Sequence, residues 1–139
     1  MNQIFKIFFK LKKVKKKRIK RGQGQYLKHK QQARIIVEDR LSYFNQFYGY
    51  KWNRITIRNQ KTRWGSCSKK GNLNFNYKIA LLPPQMADYI IVHELCHLGE
   101  FNHSANFWNL VTKTVPNYKI IRKALKNKTK IMYQSDRYL

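Results

Sequence analysis

Hydrophobic positions change period twice along the chain, and the changes divide it into helix, sheet and helix. From Tyr26 to Tyr48 the apolar residues Leu27, Ala33, Ile36, Val37, Leu41, Phe44 and Tyr48 recur mostly three or four apart, the spacing of an amphipathic helix. Gly49 ends it, because a residue free to take positive φ closes a helix cheaply. Tyr43 and Phe47 fall beside the stripe and read as packing at the core edge. Between Trp52 and Arg58 the period drops to two: Ile55 and Ile57 alternate with Arg54, Thr56 and Arg58, a half-buried strand. Residues 60–68 form a second extended segment, and Lys69-Lys70-Gly71-Asn72 supplies a tight turn. The return strand places Leu73, Phe75, Tyr77 and Ile79 on one face and Asn74, Asn76 and Lys78 on the other. A small antiparallel sheet of about three strands is expected.

The period then returns to that of a helix. Pro83-Pro84 stops the strand and opens a helix over about 85–98, proline being tolerated in a first turn whose amides have no partner, with Asp88 complementing the dipole. Gly99 breaks it. Ser104 can cap a third helix whose apolar face is Phe107, Trp108, Leu110 and Val111, ending at Pro116. A fourth begins near Tyr118 with Ile120, Ile121, Ala124 and Leu125 inward, and the basic residues from Lys126 are expected to fray. The fold class is therefore α+β: a small sheet packed with about four helices.

Composition adds a boundary and a surface. The 139 residues, 42% hydrophobic and 14% aromatic, suffice for one core. Residues 1–24 are rich in lysine and arginine, lack acids and read as a basic tail, leaving 25–139 as the domain. The net charge of +24, from 30 Lys and Arg against 6 Asp and Glu, suits nucleotides, nucleic acid or another polyanion. A biased composition would produce the same excess without a partner. Cys67 and Cys96 form no C-x-x-C pair and no disulfide framework, which fits a reducing compartment. With no apolar run near the length of a membrane span and no cleavable leader, the expected location is cytoplasmic.

The second helix carries the chemistry. In His93-Glu94-Leu95-Cys96-His97 the two histidines lie one turn apart, about 40° round the axis, and their imidazoles can share one ion. Glu94 is rotated away from that face, a base's position and not a ligand's. A catalytic zinc takes three protein ligands and keeps a fourth position for water, so a third donor is needed. His103 is the candidate, and because a straight helix would carry it about 9 Å further along, the break at Gly99 must bring it back. Glu100 is the rival, since some zinc sites use two histidines and a glutamate. His29 reads as a surface residue, and Cys67 as a small buried hydrophobe with no base beside it.

Glycine in mid-strand is the other unusual feature. Gly65, within Arg63-Trp64-Gly65-Ser66-Cys67, marks either a bulge beside a packed Trp64 or a strand lying along the cleft that pairs with an extended substrate. Arg63, Trp64, Gly65, Asn74 and Asn102 are the candidate substrate-binding residues. Asn102, Tyr89, Tyr118 and Arg63 are open candidates for stabilising a developing anion, and Asn74 and Asn76 for orienting the imidazoles.

Taken together, Lys61-Thr62-Arg63-Trp64-Gly65-Ser66-Cys67-Ser68, Leu73-Asn74, the run Asp88 to Leu98, Asn102-His103-Ser104 and Phe107-Trp108 resemble the YgjP-like metallopeptidase family, relatives of the SprT and WLM proteins and of the compact zincins. The region before the first helix is shorter than is usual there. The resemblance implies a compact zincin-like fold whose active-site helix carries HExxH, one Zn2+ held by His93, His97 and His103, and Glu94 as catalytic base. The metzincin pattern has glycine where Glu100 stands, so the chain does not follow it. The expected function is a zinc-dependent hydrolase, a metallopeptidase acting on peptide or protein. Two alternatives remain: a metal-dependent nucleoside triphosphate pyrophosphatase, and a nucleic-acid-associated binding protein with a structural metal.

Overall fold

The structure, a computed structural model, describes residues 22–138, with side chains through Met132. Most of the basic tail expected over 1–24 lies outside the described residues. In chain order the elements are α1 (Gln23–Asn45), β1 (Arg54–Arg58), β2 (Gly65–Cys67), β3 (Asn72–Asn76), a 3-10 helix (Tyr77–Leu81), α2 (Pro84–Cys96), α3 (Ala105–Thr114) and α4 (Tyr118–Tyr138). Among the described residues, four α-helices and three strands form the expected α+β arrangement. No helix among the described residues is long and apolar enough to cross a membrane.

Along α1 the stripe Ala33, Val37, Leu41 and Phe44 is buried, whereas Leu27 is exposed one turn outside the packed region. The helix closes at Asn45, earlier than its apolar pattern suggests. The Asn45 side chain takes over, accepting from the Tyr50 amide and donating to the Tyr50 carbonyl, each at 2.8 Å. Gly49, at φ 72°, donates its amide to Asn45 O at 2.8 Å. This closure delivers Tyr50 toward the end of α2. Tyr43 and Phe47 stay about half exposed, with Arg40 lying over the Tyr43 ring.

The strand order is β1-β3-β2 and the sheet is mixed, with β1 parallel and β2 antiparallel to β3. An all-antiparallel sheet is the simple outcome when each strand turns back onto the next in sequence. Here β3, whose Leu73 and Phe75 are wholly buried, takes the centre, and the 59–64 connection carries the chain past it. The β2–β3 hairpin closes through Gly71 at φ 74°, with Gly71 N donating to Ser68 O at 2.9 Å. Tyr77 and Ile79 are buried as expected, but within a 3-10 helix. Asn76 causes this change: its Oδ1 accepts from Lys78 N at 3.1 Å, capping the turn. Its Nδ2 donates to Gln60 O and Arg63 O at 2.8 and 3.0 Å and thereby holds the chain that enters β2.

Nearly every side of α2 is covered: Ala87, Ile90, Ile91, Val92, Leu95 and Cys96 are all buried, and the helix packs against α1, β2, α3 and α4. Burying such side chains contributes about 1.5–3 kcal/mol for each of the larger ones, which makes α2 the axis of the domain. Ser104 caps α3 by accepting from Phe107 N at 3.4 Å. The last helix does not fray at Lys126. It runs to Tyr138, and the Trp64 indole donates to Thr129 Oγ1 at 2.8 Å well beyond that point. Ile121 and Leu125 face inward; Ile120, 74% exposed, and Ala124 do not.

One charged contact joins the first helix to the axis. Arg40 Nε and Nη2 donate to the two oxygens of Asp88 at 2.7 and 2.9 Å, a bidentate pair of the stronger kind. Asp88→Ala is expected to lower stability by about 1–3 kcal/mol, read as a lower denaturation midpoint at unchanged slope. An unaltered midpoint would show that the pair contributes nothing to α1 docking.

Candidate metal centre

The rigid length of α2 sets two of the donors. His93 and His97, four residues apart, bring their Nε2 atoms to 3.2 Å, and His103, from the connection between α2 and α3, brings its Nε2 to 3.0 Å from that of His93. These three residues are the only such group of potential metal-ligating side chains among the described residues, with their ligand atoms all within 4.8 Å of one another. Glu100 is not in it. Its main-chain oxygen instead lies 3.1 Å from His97 Nδ1. A carbonyl can only accept, so the His97 proton sits on Nδ1 and the Nε2 lone pair points at the other rings.

That convergence fits a cation. Donors about 2.0–2.1 Å from a tetrahedrally coordinated zinc stand about 3.3 Å apart, close to the spacings found. Burial, together with the neighbouring His97, His103 and Arg122, pushes the His93 pKa down to about 3; burial lowers that of His97 as well. Both rings are thus neutral, the ligating form.

Aromatic rings from α3 fix the imidazoles. Fully buried Phe107 stacks on His97 with centroids 4.5 Å apart and meets His93 and His103 edge-on at 4.9 Å each. Trp108 stacks on His103 at 5.7 Å. On the other side of His93, Tyr89 Oη approaches Nδ1 at 3.5 Å. The residues expected to orient the imidazoles, Asn74 and Asn76, bind Ser66 and the 60–63 backbone instead. Phe107 was legible in sequence only as a core residue; its role in clamping the histidines depends on where α3 crosses α2.

Gly99 adopts no positive φ among the described residues. Its lack of a side chain is required because the Tyr50 ring lies on it: a Cβ there would collide with the hydroxyl and fall 2.6 Å from Cζ. The chain turns through ordinary helix-end bonds, with Gly99 N and Glu100 N both donating to Cys96 O at 3.0 and 2.9 Å.

Glu94 is 94% buried, 6% of its surface remaining accessible. Burial pushes its pKa up to about 8, against the opposing pull of Arg63. It lies flush on β2, where a Cβ on Gly65 would stand 2.8 Å from both Glu94 Cγ and Oε1. The register runs without interruption through Gly65↔Phe75, Ser66↔Asn74 and Cys67↔Leu73, so the glycine marks a close approach and not a bulge.

The other candidates divide. Asn102 lines a groove beside His97, whereas Trp64 turns toward α4 and Arg63 is exposed. Asn74 Nδ2 donates to Ser66 Oγ at 3.2 Å, and its Oδ1 is buried with no partner. Cys67 is half buried with its thiol pKa raised to about 11 by burial and by Glu94, and Cys96 is buried with the same value. Neither is a thiolate nucleophile.

A helix-borne pair of histidines, a third histidine from the following turn and a buried glutamate beside an edge strand define a metallopeptidase-like centre. The chain belongs to the YgjP-like metallopeptidase domain family, whose model matches residues 5–128. Among solved structures it is similar to abylysin of Pyrococcus abyssi, a metallopeptidase zymogen, at 31% identity and TM-score 0.61, over 66% of this chain and 93% of that one. The fold is also that of the metallopeptidase zymogen jannalysin of Methanocaldococcus jannaschii, at 24% identity and TM-score 0.54, over 69% and 95% of the two chains. A comparison with curated proteins finds no match. Family and neighbours together support a metal-dependent peptidase.

His103→Ala leaves two helix-borne donors and is expected to weaken metal binding by more than about 100-fold, measured by competition with a chromogenic chelator. An unchanged affinity would put the third donor elsewhere.

Proposed function

We propose that the protein is a zinc-dependent peptidase that holds one Zn2+ through His93, His97 and His103 and uses Glu94 as general base. The observation that carries this reading is the contact of the buried Glu94 carboxylate with the backbone of an edge strand, beside three converging imidazoles. Bound zinc would supply Lewis acidity toward the substrate carbonyl and the attacking water.

The chain's own groups account for the rest. In the β2–β3 ladder Trp64 O and Ser68 N bond to Asn76 N and Asn72 O, so by the alternation of an antiparallel pair the main-chain groups of Gly65 and Cys67 point away from β3. These groups can pair with an extended peptide, as in strand addition. A peptide so held passes Glu94, whose Oε1 takes the proton of the attacking water and returns it to the leaving amine nitrogen. A pKa raised by burial suits a group that must both accept and release a proton near neutrality. Two unpaired cysteines fit a reducing compartment, where we place the protein.

With zinc-loaded protein, Glu94→Gln is expected to reduce casein hydrolysis by about 10²–10⁴-fold or more while retaining one equivalent of metal. Pyrophosphate release from nucleoside triphosphates without peptide cleavage would favour phosphoanhydride chemistry, and full activity in the variant would remove Glu94 from the reaction. Gly65→Ala, which forces the carboxylate off β2, should cost at least about tenfold in kcat with metal content unchanged. Parent-like turnover there would show that the contact does not position the base.

A further inference from the structure

Beside the metal centre, on its His97 side, lies an open groove of about 650 Å³. Lys51, from the segment after α1, and Lys69 and Lys70, at the β2–β3 turn, line it together with Ser68, Phe101 and Asn102. None of the described acidic side chains does. The two ion pairs among the described residues, Arg34–Glu38 and Arg40–Asp88, lie elsewhere, so none of these three lysines has a carboxylate partner among the described residues. Lys69 Nζ sits 5.9 Å from the Phe101 ring centroid.

A surplus of lysine over the whole surface would not single out this place. Its connection to the reaction centre does. The groove includes His97 in its wall, and the exposed edge of β2, which begins at Gly65 against Glu94, leads through Cys67 straight into Ser68, Lys69 and Lys70. Four residues of extended chain span about 13 Å. A peptide paired along β2 therefore carries its side chains from the scissile bond to the lysines within about four residues.

We propose that this groove is an acidic subsite, so that the enzyme prefers peptides bearing Asp or Glu within about four residues of the scissile bond on the His97 side. The proposal rests on the peptidase reading above. Clustered cations in a concave site focus their field and draw anionic side chains, while Phe101 offers an apolar wall for the methylenes that carry the carboxylates. Nucleic acid is the competing occupant. Strand pairing favours the peptide, because it delivers one class of ligand in a fixed register.

The test uses full-length, zinc-loaded Glu94→Gln protein and two fluorescent peptides that differ only in Asp against Asn at those positions. The Asp peptide is expected to bind at least about tenfold more tightly. Lys69→Glu with Lys70→Glu should bring the ratio near one, whereas Lys123→Glu with Lys126→Glu on α4, the same change in net charge, should preserve it. Equal binding of the two peptides, or loss of preference in the α4 control, would overturn the subsite. So would a single-stranded oligonucleotide that outcompetes the Asp peptide and depends equally on Lys69 and Lys70. Cleavage of peptides without acidic preference by the parent protein sinks the subsite alone. Absence of any peptide or casein cleavage, with the Asp preference in binding intact, sinks the peptidase reading and leaves the anion-binding groove standing.

Discussion

Three imidazoles converge through their Nε2 atoms, that of His93 standing 3.2 Å from that of His97 and 3.0 Å from that of His103, with the His97 lone pair turned toward the other rings. Rings removed from water lose solvation. The surrounding fold has to hold them there until a cation offsets the cost. Stiffness comes from α2, buried on nearly every side, which fixes the spacing of His93 and His97. The third ring depends on two further elements. Tyr50, delivered by the Asn45 closure of α1, packs on Gly99, and Phe107, held by the Ser104 cap of α3, touches all three imidazoles. Distant turns therefore have a direct part in the geometry of the three imidazoles.

The sheet serves the same centre from the other side. A three-residue strand would be a weak element by itself, and the chain that enters β2 is held by contacts outside the ladder. Asn76 binds the 60–63 backbone ahead of it, and Trp64 reaches Thr129 on α4. Placing β3 at the centre leaves β2 at the edge, and only an edge strand can offer main-chain groups to a substrate. The mixed topology is thus tied to the proposed reaction: an order following the sequence would put β3 at the edge and bury β2 between its neighbours.

Much of this was legible in the chain because its strongest signals are local. The helix-borne His93 and His97, the rotation of Glu94 away from them, the Ser104 cap and the alternation of Leu73 and Phe75 all follow from period and spacing. The parts that were not legible depend on long-range contacts. Strand order is decided by which strand is the most apolar on the buried face, a comparison between segments that no single segment contains. The need for glycine at 65 and at 99 comes from Glu94 and Tyr50, which approach from other elements. Lys126 and the residues after it look like a fraying end by composition, and they stay helical because α4 is anchored through Trp64.

Charge completes the picture through a few residues and not through the total of +24. Of the scarce acids, Asp88 and Glu38 are paired on α2 and α1, and Glu94 is buried at the centre. Two arginines act on that centre in the same direction, each favouring the unprotonated form of its neighbour. Arg122, over the Trp108 ring at 5.0 Å, adds to the forces that keep His93 unprotonated, which preserves the lone pair a metal needs. Arg63 works against the burial that raises Glu94 and so keeps the carboxyl able to ionise near neutrality. A positive field that merely attracted anions would not need these placements. In the proposed reaction the same sign of charge keeps protons off one of the imidazoles that would hold the metal and leaves the Glu94 carboxyl able to act as the base.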